Sequence, residues 1–253
     1  MFRDVKLILV ALFLAGGLTL LSAQDAANTV DATGLKQGFW RKSYPNGKVR
    51  YEGNFKNDQP AGVFRYYLES GVLKMICFYY DNGQKSRAKG FNEKGSIISD
   101  GNYLKKEKDS TWTYYDEEKH IISRENFKAG VKQGTWYTYY PDGSVAEEFS
   151  YLNDKKNGVW KQNFEDGKPS LTAFYKNGVL NGKMTYYFAN GTAKLTGNYV
   201  NGIREGTWFT FSENGNLTDT EVFKNGVSNK PPVLKKEEKP IKEDNELVAP
   251  KYE

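Results

Sequence analysis

The sequence predicts an all-β fold, an elongated twisted antiparallel meander, and three observations carry that prediction. The chain repeats itself every 24 residues, without insertion or deletion, through eight units. One column of the repeat holds all five tryptophans, and another is aromatic in every unit. Between these columns stand tight-turn signals, Asn-Gly or Asp-Gly, at the spacing of hairpins.

At the start of the chain, Arg3 and Lys6 precede an apolar run from Leu7 to Leu21 that closes on Ser22-Ala23. A basic segment, an apolar segment of that length and a small residue at the end predict a secretory signal peptide over 1–23. The alternative is an uncleaved anchor, but the run is shorter than the roughly 20 apolar residues a spanning helix needs. No cysteine follows it, which excludes a lipoprotein signal. The expected destination is the periplasm, the outer surface or the medium. Residues 24–37 are small and polar and read as a linker into the first strand.

The repeat array spans 38–229. With Gly206 as the origin of a unit, the other origins are Gly38, Gly62, Ser86, Ser110, Gly134, Gly158 and Gly182. Two residues after each stand Trp40, Phe64, Ala88, Trp112, Trp136, Trp160, Met184 and Trp208. The run from an origin to about its sixth residue, as in Thr135 to Tyr140, is Trp, Tyr and Thr rich and predicts a first strand. Turns such as Pro45-Asn46-Gly47 and Pro141-Asp142-Gly143 reverse the chain. A second strand then reaches the constant aromatic seventeen residues after the origin (Phe55, Tyr79, Tyr103, Phe127, Tyr151, Tyr175, Tyr199, Phe223). A lone hairpin is marginal in water, so units must stack edge to edge, about 16 strands at about 4.8 Å each. The origin glycines are expected to leave bare backbone for a neighbouring ring to lie over. After Gly226 the pattern stops, and 230–253 holds Pro231, Pro232, Pro240 and Pro250 among alternating Lys and Glu, a composition expected to be disordered.

The pattern Gly-x-Trp-x-x-Tyr-Tyr-x-x-Gly, followed by a segment such as Glu52 to Asn57 or Thr196 to Gly202, resembles the bacterial variant of the MORN repeat, found in YwqK-type, antitoxin-like proteins. The resemblance covers 38–229, so the expected architecture is eight 24-residue MORN-like hairpin repeats. It implies a scaffold or binding role, with links to protein partners and to peripheral membrane contact. Two departures, Ser86 with Ala88 in the third unit and Glu118-Lys119 in the fourth turn, predict a distorted middle of the array.

Function classes narrow by inventory. The formal charge of +5 is spread over interspersed Lys, Asp and Glu, which reads as a solvated surface, not a phosphate-tracking stripe. The aromatic columns read as core rows, not base-stacking platforms, and no nucleic acid is expected. His120 and Cys77 are the one histidine and one cysteine of the chain, too few for an ordinary structural zinc site. His120 reads as a solvent-facing turn residue and Cys77 as a small strand residue. Acid pairs such as Glu147-Glu148 point to opposite faces of a strand and cannot converge. The chain is therefore expected to be a non-enzyme without cofactor or metal. The first functional reading is an exported scaffold for an unknown protein or envelope component. The alternatives are a glycan-binding module that stacks Tyr137, Tyr139 and Tyr140 on sugar rings, and an antitoxin-like neutraliser. The candidate binding surface is Tyr137, Tyr139, Tyr140 and His120.

Overall fold

The computed structural model describes residues 27–230. The expected signal peptide over 1–23, the first residues of the linker and the tail beyond Lys230 lie outside the described residues. The described residues form one sheet of 20 strands, each antiparallel to its neighbours in sequence. The sixteen rows expected from eight hairpins are present. Two of them are broken into a short and a long piece, Val131–Lys132 with Gly134–Tyr139 and Val179–Leu180 with Gly182–Tyr187. The sheet also gains a two-residue strand at each end, Thr29–Val30 and Val227–Ser228. Thr29–Val30 pairs with Lys36 and Gln37, so the described part of the 24–37 linker includes a strand.

The origin glycines have a different role from the one expected. An added Cβ at Gly62 or Gly206 would meet nothing within 4 Å, but φ is +68° and +71° there. Gly62 and Gly206 occupy bulges: at the first, Asn54 pairs with Ala61 and Glu52 with Arg65, so two extra residues sit on the second of these strands. Glycine is used because L side chains strain at that φ. The residue that gives way to a ring stands fifteen places after the origin. A Cβ on Gly53 would lie 2.5 Å from the ring of Phe64, and one on Gly101 or Gly197 would lie 2.2 Å from Trp112 or Trp208.

The middle of the array departs from the pattern in one place, not two. Lys119 adopts φ +72° and keeps the ordinary turn, with His120 O accepting from Asp116 N–H and Asp116 O from Lys119 N–H. The third unit is the real exception. Ser86 is not left-handed, the strands Leu73–Tyr80 and Lys85–Phe91 pair without any shift, and the loop Asp81 to Gln84 contains the two residues that a bulge holds elsewhere.

Alternation gives the sheet two faces. One carries the Trp column and the constant aromatics. It contains two buried clusters, Phe64, Cys77, Ala88 and Trp112, and Leu171, Ala173, Met184, Trp208 and Phe223. The other is laced by cross-strand ion pairs, Arg41 with Glu52, Arg87 with Asp100 and Lys161 with Glu148, and exposes single apolar residues such as Phe78 and Val222.

Candidate functional site

The most regular chemical feature of the molecule lies on the aromatic face. Two residues before the origin stand Lys36, Pro60, Gln84, Lys108, Lys132, Lys156, Leu180 and Arg204. Each cation of this column lies over rings of the unit it precedes, and Lys156 also lies over Phe149 of the unit before. Lys36 Nζ sits 4.9 Å from Trp40 and 4.8 Å from Phe55. Lys108 Nζ is 5.0 Å from both Trp112 and Phe127 and 5.1 Å from Tyr114. Lys132 stands 4.7 Å from Trp136, Lys156 3.7 Å from Phe149, and the Arg204 guanidinium 4.4 Å from Trp208.

These distances fall inside the range in which a ring quadrupole attracts a cation. None of the five cations forms a carboxylate salt bridge among the described residues. Burial pushes the Lys156 ammonium below the usual lysine range; Glu147 nearby opposes this and Lys132 adds to it. Beside Lys156, Glu147 Oε1 accepts from both Trp160 Nε1 and Gln162 Nε2 at 2.8 Å. The result is an aromatic face with a line of cations in five of the eight units, three of them consecutive. Acids share this face as well, Glu125 opposite Trp112 and Glu221 opposite Trp208, so opposite charges are interspersed on both faces.

The four residues expected to form a binding surface are not brought together as one site. Tyr137 and Tyr139 do lie side by side, rings 6.2 Å apart, on the face opposite Trp136. Arg124 reaches over Tyr139 at 5.5 Å. Tyr140 turns into the edge of the sheet, where its hydroxyl donates to Asn163 O at 2.7 Å. Its unit-one equivalent, Tyr44, bonds Tyr67 O in the same way, so this tyrosine ties one turn to the next. His120 is held by its own turn: its N–H donates to Asp116 Oδ1 at 2.8 Å, and its Nδ1 lies 3.0 Å from Asp116 Oδ2. Asp116, Glu118 and His120 each place one potential ligand atom within 4.8 Å of the others, on an exposed turn. Cys77 is buried, 1% exposed, and burial pushes its thiol up to about 11, with a hydrogen bond to Tyr79 opposing the shift.

A concave feature was not foreseen. A cleft of about 550 Å³ opens on the aromatic face, walled by Tyr51, Phe55, Phe64, Tyr66 and Tyr79. Pro60, Gly83 and Gln84 form one side, and Lys105, Lys106 and Asp58 are at its rim. It lies where the column of cations is interrupted by Pro60 and Gln84, and beside the loop that replaces the bulge.

The MORN repeat variant family matches the chain at residues 36–57, 132–153, 156–177 and 204–225. Each matched segment opens at or beside one of the cations of the aromatic face. No curated protein sequence matches the chain. Among solved structures, TarM of S. aureus is similar over 38% of this chain at 9% identity and a TM-score of 0.30, and this chain spans 19% of TarM. A porin-like protein from Bacteroides uniformis is similar over 81% of this chain and 96% of its own length, at 11% identity and a TM-score of 0.19. The Photorhabdus luminescens Tc holotoxin pore aligns with 78% of this chain and 13% of its own, at 12% identity and a TM-score of 0.18. Likeness at these scores carries no argument about function.

Proposed function

The repeats of this chain belong to the MORN repeat variant family, and from that premise we propose that it is an exported, non-enzymatic scaffold that binds a protein or cell-envelope component along a repeated face. MORN repeats act in general as scaffolds for protein or membrane interaction. The observation that supports the finer reading is the line of Lys36, Lys108, Lys132, Lys156 and Arg204 over the aromatic columns. Such a face offers a cation over rings at five of the eight units, three of them consecutive, which suits an extended partner with acidic groups. Binding of that kind is spread over many equivalent positions. The chain's isolated reactive groups take no part: Cys77 is sealed in the sheet, and His120 is engaged by Asp116.

The test is retention of the protein by an envelope extract of the producing cell. His120→Ala and Tyr137→Ala should leave retention within a fewfold of wild type. Lys132→Glu with Lys156→Glu should weaken it strongly. Deleting Ser110 to Asn157 removes two whole periods and joins two bulged origins, so register survives while both central cations are lost; retention should collapse. Loss of retention in His120→Ala alone, with an unchanged thermal midpoint, would overturn the scaffold reading. Export is tested by N-terminal sequencing, which should begin near Gln24, whereas intact Met1 in a membrane fraction would establish an anchor.

The paired rings of Tyr137 and Tyr139 favour a second reading, a glycan contact on the opposite face. Under it, Tyr137→Ala with Tyr139→Ala reduces retention and the lysine substitutions do not.

A further inference from the structure

The repeats supply their own comparison for the cleft at the second and third units. In the fourth unit the rings of Trp112, Tyr114 and Phe127 surround Lys108 Nζ at about 5 Å, and Lys108 also donates to the Tyr114 hydroxyl. The corresponding rings of the second unit are Phe64, Tyr66 and Tyr79, with Phe64 edge-on to Tyr79 at 5.1 Å. The residue that corresponds to Lys108 is Pro60, and no cation of the described chain lies over these rings. Leu180 also interrupts the column, but it packs against the second buried cluster, which includes Met184, and the cavity nearest that unit, lined by Tyr186, Leu195 and Arg204, keeps a cation of the column in its wall. At Pro60 the backbone of the Asp81 to Gln84 loop closes in instead, so tightly that a Cβ on Gly83 would lie 2.7 Å from the proline ring. Aromatic walls thus remain in the arrangement that holds an ammonium elsewhere in the same molecule, around a space of about 550 Å³. That volume is in the range of small-molecule sites.

The rim gives the other half of the ligand. Lys105 and Lys106 form a left-handed two-residue turn, φ +50° and +71°, at the mouth of the cleft. Asp58, on the same rim, already accepts from Lys36 N–H through Oδ1. Cations at the mouth and rings inside call for opposite chemistry at the two ends of one molecule.

We propose that this cleft binds a small zwitterion, an alkylammonium against the half-buried rings of Tyr51, Tyr66 and Tyr79, which flank the buried Phe64, with its phosphate or carboxylate at Lys105 and Lys106. The inference is independent of the extended-partner reading, because it concerns a place where the column of cations is interrupted.

Calorimetric titration of the full chain with phosphocholine, tetramethylammonium and inorganic phosphate tests it. Phosphocholine should bind most tightly, tetramethylammonium more weakly, and phosphate least. Pro60→Lys installs the cation that other units carry and should weaken phosphocholine about tenfold or more while leaving the thermal midpoint in place. Leu180→Lys should leave phosphocholine binding unchanged. Lys105→Ser with Lys106→Ser should weaken phosphocholine but not tetramethylammonium. Vesicles of phosphatidylcholine that sediment the wild type and not Pro60→Lys would place the source at a lipid headgroup, and binding of the free ligand alone would place it in solution. Phosphate binding as well as phosphocholine, no binding of tetramethylammonium at concentrations where phosphocholine saturates, or undiminished phosphocholine binding by Pro60→Lys would each overturn the proposal.

Discussion

At the scale of single residues, the sheet is held by a size rule between the ring two places after an origin and the residue fifteen places after the preceding one. Gly53 lies under Phe64, Gly101 under Trp112 and Gly197 under Trp208. Where the lower residue is larger, the upper is smaller or is displaced: Cys77 faces Ala88, Ala173 is followed by Met184 in the same buried cluster, and Phe149 stacks on Trp160 at 5.8 Å. Gly197→Ala should therefore destabilise by about 1–3 kcal/mol through overpacking. Adding Trp208→Met, which recreates the natural Ala173 and Met184 pair, should recover part of the loss. A double-mutant cycle in urea measures that coupling, and strict additivity would disprove the rule. Cys77 adds a pH dependence. Its folded thiol titrates at about 11 against an ordinary 9.0, so folding favours the protonated form. This contribution is intact below about pH 9 and is lost as pH rises towards 11. The denaturant midpoint should fall over that window, and less steeply in Cys77→Ala.

At the scale of the strand and its turn, the unit is legible from the period and the turn dipeptides, because turn chemistry and alternation are local properties. The role of the origin glycine was not, since a column of glycine fits either a bulge at positive φ or a bare platform, and only pairing separates the two. Ser110 decides the matter energetically. It holds φ +60° with a side chain, at a cost of order 1 kcal/mol. Ser110→Gly should raise stability by about that amount, whereas Gly206→Val should lower it by about 1–3 kcal/mol although no atom obstructs the new side chain. Chemical denaturation of the two variants reads both signs. The cations of the aromatic face stand at fixed spacing in the sequence, but Pro60, Gln84 and Leu180 interrupt them, and lysine beside turns is ordinarily solvent-facing. What the sequence lacks is the fold-back that lays each stem along a ring. The cleft was hidden for a related reason: it follows from Pro60, the longer loop and the absence of a bulge at Ser86 acting together, none of which signals a cavity alone. Tyr137 and Tyr139 were legible as neighbours by alternation, while the anchoring of Tyr140 and His120 depends on partners in another turn or on turn geometry.

At the scale of the whole molecule, the hydrogen-bonded ladder is continuous but the buried core is not. One cluster ends at Trp112 and the next begins at Leu171. Between them, Trp136 and Trp160 are half-buried, and Glu125, Glu147, Lys132 and Lys156 share the face. In a linear array each unit is stabilised chiefly by its neighbours, so a stretch without a buried cluster is a weak link. Uniform stacking would make an interior tryptophan costlier to remove than a terminal one. The packing reverses that order: Trp208 is 2% exposed in a cluster with Met184 and Phe223, although its indole N–H has no partner among the described residues. Trp208→Ala should cost about 3–5 kcal/mol and Trp136→Ala distinctly less. Native-state hydrogen exchange should show the strands Ile121–Lys128, Gly134–Tyr139 and Val145–Leu152 opening at lower free energy than those around Phe64 or Trp208. Trp208→Ala should reduce protection in its own cluster and leave the cluster around Phe64 largely intact. Equal protection along the array, or loss at both ends after either substitution, would mean that the ladder alone transmits cooperativity and that the central cations and acids do not divide it. If the division holds, the weakest stretch of the sheet is also the one that carries Lys132 and Lys156 in succession. An acidic partner seated there would bridge the two clusters, so binding should raise protection most in the middle of the array.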